Sequence, residues 1–175
     1  SLKYQLYDWD KGCIAASGIV ERVTQSGSKI EHQASGKDEY EKKQDCPTHA
    51  EAIELILEAL TDSKYGAIKS INEIKAVGHR VVHGGEKFNR SVLVTPESIA
   101  AFRELSHLAP LHNPANIIGI EAAQKVLPDV PHAAIMDTAW HQTMPRHAYL
   151  YALPYNWYSE HGVRRYGFHG TSFLY

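Results

Sequence analysis

Cysteine is scarce in this chain of 175 residues: Cys13 and Cys46 are the only two, far too widely separated for a CxxC pair. Two thiols cannot build a disulfide framework, so a reducing compartment, the cytoplasm, is the expected location. No apolar run is long enough for a signal-peptide core or a membrane span, and no membrane partner is expected. A surplus of positive charge is missing as well, since 18 Lys and Arg stand against 20 Asp and Glu, a formal net charge of -2. Affinity for a phosphate backbone needs excess Lys and Arg, so nucleic-acid binding is excluded and any anion site must be local. Neither GxxxxGKS, GxxxxGKT nor GxGxxG occurs, which removes a Walker-type nucleotidase and a dinucleotide-binding Rossmann domain. An initial Met is also lacking, and SLKYQLYDW sets Leu2, Tyr4 and Leu6 against Lys3, Gln5 and Tyr7, the pattern of a half-buried strand. A chain that opens in mid-strand is expected to be a piece of a longer protein, cut at both ends.

What is present is the composition of an ordinary globular protein, 43% hydrophobic and 22% charged, long enough for one domain and part of another. The first segment reads as antiparallel hairpins: the opening strand, then CIAASGIVERV, then KIEHQ, broken at Gly12, Gly27 and Gly36. GKDEYEKKQD, residues 36–45, is charged throughout and fits a solvated loop or a strand edge. Thr48 and Glu51 form a capping box, after which Ile53, Ile56, Leu57 and Leu60 share one helical stripe. IKAVGHRVVH, residues 74–83, reads as a buried strand that delivers its last residues to a loop at Gly84-Gly85. Thr95-Pro96-Glu97 starts a second helix with Ile99, Phe102 and Leu105 inward, and Asn113-Pro114 repeats the device for an apolar helix ending near Pro128. HAAIMDT, residues 132–138, is a short strand that stops at an acid. Strands first, then helices alternating with strands, imply a mixed α/β sheet, in which ligands gather where strands end. Beyond Asp137 the texture turns aromatic and polar, which places a domain boundary near residue 139.

Chemistry then has a few candidate carriers. An arginine inside an apolar strand cannot stay unpaired or lose its proton, so Arg80 must meet a carboxylate or an anionic ligand. Asp137 ends a strand, a position suited to magnesium held through water, and equally to a turn. His112 precedes a helix start, where free amides favour an anion. His169 lies in GFHG, whose small neighbours allow close approach to a ligand, and with Arg164 and Arg165 it marks the rim of an anion site. Among the 11 histidines, His79 and His83 are spaced HxxxH without the HE pair of a zinc protease. A zinc-dependent hydrolase built from His79, His83, His141 and Asp137 is the reading from a different class.

Four stretches taken together, GHRVVHGGEKF (78–88), LAPLHNPANIIGIEA (108–122), MDTAWHQTMP (136–145) and RRYGFHGTS (164–172), closely resemble the acetate kinase family. The opening SLKYQLYD is similar to the tail of that family's first motif. The resemblance implies a ribonuclease H-like mixed sheet with flanking helices, the fold of the sugar kinase, heat-shock protein and actin superfamily. Residues 1–139 would form the acid-kinase domain without its first strand, and 140–175 the beginning of a nucleotide-binding domain. The implied activity is reversible phosphorylation of acetate by ATP with Mg²⁺, propionate being the near alternative acceptor, in an enzyme that is a homodimer at full length and inactive as an isolated piece. Carried over by motif, Arg80 matches the active-site arginine, Asp137 the acid near magnesium, and His169 the histidine beside the transferred phosphoryl. His112 matches a second histidine of the cleft, while Val82, Leu111 and Phe168 match the pocket for the acetate methyl. The adenosine pocket corresponds to no residue of this chain. One departure stands out: the family usually has His where this chain has Phe173.

Overall fold

The computed structural model describes residues 1–175. They fall into two compact units, Ser1–Lys75 with Glu121–Val130, and Ala76–Ile120 with Pro131–Tyr175. Residue 139 lies within the second.

In the first unit, β1 (Leu2–Asp8), β2 (Cys13–Glu21), β3 (Lys29–Ala34) and β4 (Tyr40–Lys43) form an antiparallel sheet in chain order. The hairpins arise where expected, since Gly12, Gly27 and Gly36 all adopt positive φ. The charged run 36–45 contributes the edge strand β4, whose Glu41, Lys42 and Lys43 suit an unpaired edge. Gly18 is needed for close approach: a Cβ there would collide with the Glu31 carbonyl and the Tyr4 ring. The Tyr4 hydroxyl donates to His32 Nδ1 at 2.6 Å, and His32 Nε2 then donates to the Tyr65 carbonyl at 3.2 Å. Helix α1 (His49–Thr61) begins at the Thr48–Glu51 capping box and packs on β2 and β3, burying Ile53, Leu55, Ile56 and Leu60.

The second unit is built on a mixed sheet of order β5-β7-β6. Strands β5 (Val77–Val81) and β7 (His132–Met136) run parallel, while β6 (Val92–Leu93) is antiparallel to β7. With two residues, β6 is too short to show a period and was not expected. Helix α2 (Pro96–Glu104) is capped by Thr95, as its sequence implies. With α3 (Asn113–Val126) it supplies a core in which Ile99, Phe102, Ile117 and Ile120 meet Val81, Ala134 and Met136. The sequence reading of residues 74–83 as a fully buried strand needs correction. Only one face of β5 is covered; Val81 is buried, whereas Gly78 and Arg80 are exposed, so a charged residue fits the strand without entering the core. The remaining chain is short helices: α4 (Arg146–Tyr149), α5 (Asn156–His161) and α6 (Gly170–Leu174). No helix is long and apolar enough to cross a membrane.

Phe102 has no exposed surface and its ring centre lies 4.7 Å from that of Phe88. Phe102→Ala is expected to destabilise the chain by about 3–5 kcal/mol, read as a lower midpoint in urea denaturation.

Candidate functional site

Because β5 and β7 are parallel and in register, Val81 opposite Met136, both strands end at the same edge of the sheet. The Asp137 amide extends the ladder by donating to the Val81 carbonyl at 3.0 Å. That places the Asp137 side chain beside Arg80. Arg80 Nε donates to Oδ1 at 2.9 Å and to Oδ2 at 3.1 Å, and Nη2 donates to Oδ2 at 2.5 Å. The two partners differ sharply in exposure, 64% for the Arg80 side chain against 5% for that of Asp137. The carboxylate is therefore the desolvated member, and the guanidinium compensates it from the solvent side, leaving Nη1 outside the pair. Hydrogen bonding to the Asp137 carboxylate, ahead of that group's charge, raises the Arg80 pKa above its ordinary value.

The other expected residues gather round this strand edge by identifiable ties. Thr138, fully buried, accepts the Gly84 amide on its hydroxyl at 2.9 Å and so closes the loop after β5 onto the end of β7. Asn113 does not cap its own helix. Its carboxamide instead grips His83, accepting from the His83 amide at 3.1 Å and donating to the His83 carbonyl at 2.9 Å. Asn116, one turn on, accepts the Val82 amide at 3.1 Å. These bonds fix the start of α3 against Val82 and His83, and the exposed Leu111 and His112 immediately precede it. His169, exposed, is the residue before α6 and adopts φ 55°, ψ 32°, a left-handed conformation uncommon for a residue with a side chain. The next amide, of Gly170, donates to the Asp137 carbonyl at 2.9 Å, which ties the His169 turn to the acid. Only glycine fits there, since a Cβ on Gly170 would stand 2.6 Å from that carbonyl oxygen. The structure thus brings together Arg80 and Asp137 directly, joins His169 to them through backbone, and joins Val82 to the α3 start through side-chain amides. Phe168, half exposed, touches this group through its ring edge against His83, with centres 5.6 Å apart.

Two readings of the sequence fail. The zinc set does not assemble, and two of its histidines are committed elsewhere: His79 Nε2 bonds His132 Nδ1 at 2.9 Å, and His83 Nδ1 accepts the Gly85 amide at 3.0 Å. The His141 ring packs edge-on to Trp140 and Phe173, Asp137 is held by Arg80, and no three potential metal ligands converge anywhere. Nor is Arg164 on the rim of an anion site. Its side chain is 3% exposed, ion-paired to Glu86, with its guanidinium carbon 3.8 Å from the Tyr149 ring centre and 4.8 Å from that of Tyr166. The carboxylate and the two aromatic faces engage most of the guanidinium, although its buried Nη2 has no hydrogen-bond partner. Arg165 is the exposed member of that pair. Sequence reasoning missed Asn113, Asn116 and Thr138 as organisers of the site; the Asn-Pro signal drew attention to Asn113, but as a helix cap.

A model of the acetokinase family matches residues 1–175. The chain belongs to the acetokinase family. Among curated relatives, an acetate kinase of Geobacter metallireducens is 61% identical over the whole chain, and one of Treponema pallidum is 57% identical. This acetokinase-family chain spans 42% of the first of these and 39% of the second. Among solved structures, that of the Porphyromonas gingivalis acetate kinase superposes with a TM-score of 0.93 at 51% identity, over 99% of this chain and 43% of that one. A propionate kinase from Francisella tularensis gives 0.88 at 35% identity, again over 99% of this chain and 43% of its own. The mixed α/β fold expected for a piece of this family is therefore the one observed.

Burial pushes the pKa of His79 down to about 4, with the neighbouring His132 adding to the effect, and burial likewise pushes His83 down to about 4, helped by His107 and Arg164. Both stay neutral in the folded chain while an unfolded histidine takes up a proton near pH 6.5. The stability they contribute is complete above that pH and is lost as pH falls from about 6.5 towards 4. The melting temperature should fall across this window by about 5 °C or more, and His79→Gln should flatten the slope in a pH series of thermal denaturation.

Proposed function

We propose that this chain supplies the acid-binding side of an ATP-dependent kinase that phosphorylates acetate. The observation that carries the reading is the Arg80–Asp137 pair at the common end of two parallel strands, with the His169 turn bonded to the Asp137 carbonyl. Family membership and the acetate kinase relatives support it from outside the geometry. Residues 1–139 are assigned to the acid-kinase domain and 140–175 to the opening of the nucleotide-binding domain.

Acetate is ionised at neutral pH, so its carboxylate attacks the γ-phosphorus without a general base. One bond forms between a carboxylate oxygen and phosphorus, the bond from phosphorus to the ADP oxygen breaks, and ADP leaves. The obstacle is repulsion between two anions, and the protein lowers it by alignment and by positive potential over the transferring group. Arg80 is suited to this because Asp137 fixes its fork while Nη1 remains to bind an anion. His169, on a strained turn with few conformations open to it, donates to the equatorial oxygens. His112 lies at the start of α3 as a second donor, and Val82, Leu111 and Phe168 form the wall for the methyl group. Asp137 is the residue to hold Mg²⁺. Since Arg80 already occupies three of its acceptor directions, Asp137 would hold the ion through water. When bound, the ion neutralises phosphate charge. Propionate is the second acceptor to consider, favoured by the likeness to a propionate kinase. A small apolar pocket separates the two acids by only about 1–3 kcal/mol per methylene.

A coupled assay with acetate, ATP and Mg²⁺, on this chain and on a form extended to the length of its relatives, tests the reading. Turnover in the extended form is the expected result, and none in either form sinks the proposal. In that form Arg80→Ala should lower kcat by about 10²–10³-fold, and near-normal turnover would remove Arg80 from the mechanism. Asp137→Ala should raise the Mg²⁺ concentration needed for half-maximal rate; an unchanged magnesium titration would deny it the metal.

A further inference from the structure

We infer that His83 is a positioning residue that sets which short-chain carboxylic acids the site accepts; this rests on the kinase reading above. His83 takes no part in the chemistry proposed, yet it is 2% exposed and its ring packs against Phe168, one of the residues assigned to the acid's apolar end. It follows Val82 in the chain. Its backbone amide and carbonyl are both held by Asn113, two residues after Leu111. Its ring meets Phe168 nearly at right angles, at 77° with centres 5.6 Å apart.

The ring is itself held on every side. Nδ1 accepts the Gly85 amide at 3.0 Å, which fixes the tautomer with the proton on Nε2. Tyr166 packs against it edge-to-face at 4.4 Å and 76°, and Tyr166 is backed in turn by the Arg164 guanidinium. Arg164 is anchored by Glu86, which also accepts from the Tyr158 hydroxyl at 3.1 Å. A run of contacts from Glu86 through Arg164, Tyr166 and His83 to Phe168 therefore stiffens the floor behind Phe168. Because buried interiors are close-packed, Phe168 cannot recede while the imidazole occupies the space behind it. An acid longer than acetate needs that space. Burial keeps the imidazole neutral, so the floor is not repelled by Arg164 and does not change with pH across the neutral range.

The decisive quantity is the ratio of kcat/KM for propionate to that for acetate, measured in the enzyme extended to the length of its relatives. His83→Asn keeps an acceptor for the Gly85 amide but removes the ring, and should raise the ratio about tenfold, the scale of one methylene in an apolar pocket. His83→Phe keeps a ring but loses the acceptor, and should leave the ratio at the parent value while lowering the melting temperature. A merely structural histidine would move both variants alike in stability and neither in selectivity. Tyr166→Leu leaves His83 and its hydrogen bonds in place, removes the ring behind it, and should shift the ratio in the same direction, which keeps the test decisive if His83→Asn does not fold. An unchanged ratio in Tyr166→Leu and in folded His83→Asn, with an active parent, overturns the role of His83 alone. Absence of turnover with any short-chain acid in the parent overturns it together with the kinase reading.

Discussion

The second unit depends on one electrostatic constraint: the Asp137 carboxylate is almost wholly removed from water and must be compensated. Arg80 meets that need from the neighbouring parallel strand with two nitrogens of its fork. The pairing is available only because β5 and β7 run parallel and finish together, so that the last residues of one stand beside the first residue after the other. Much else follows from holding this point still. The Asp137 backbone is used at both ends, its amide on Val81 and its carbonyl on Gly170, which draws the His169 turn onto the strand edge. An ion pair that stabilises the fold and a guanidinium edge that can bind an anion are thus the same group.

Around that pair, side-chain amides and hydroxyls perform the joinery that backbone ladders cannot. Thr138 closes the Gly84 loop, Asn116 holds Val82, and Asn113 holds both backbone groups of His83. Each is a case of a loop or strand end whose amide would otherwise be buried without a partner. The aromatic stretch beyond Asp137 has a comparable purpose. Tyr149 and Tyr166 enclose Arg164, and Phe173 stacks on Trp140 with centres 5.5 Å apart and also meets the His141 ring.

Features that depend on a few adjacent residues were legible in the sequence. The Thr48–Glu51 box, the Thr95-Pro96 start and the three hairpin glycines all appear as read, since each is a local backbone preference. The demand that Arg80 find a partner was legible too, from the cost of an unpaired guanidinium. Which partner it found was not, as Asp137 lies 57 residues away and only the strand order joins them. The same distance in sequence hid the Asn113–His83 bonds, so that a residue with every local mark of a cap was spent on another element. Arg164 misled for the opposite reason: its neighbours in sequence imply an anion site, while its neighbours in space, Glu86 and two tyrosines, enclose it.

By itself the sequence determined the alternation of strands and helices, the absence of a charge surplus, and a set of motifs that place the chain in its family. These are properties of composition and of short-range spacing, which a chain carries whether or not it is folded. Tertiary structure decided which face of β5 is open, which carboxylate Arg80 answers, and which histidine is buried against Tyr166 and Phe168. Those outcomes turn on the parallel register of two strands more than fifty residues apart, and on close packing in three dimensions, where one residue meets Asn113 through its backbone and Phe168 through its ring, partners that no reading along the chain would bring together.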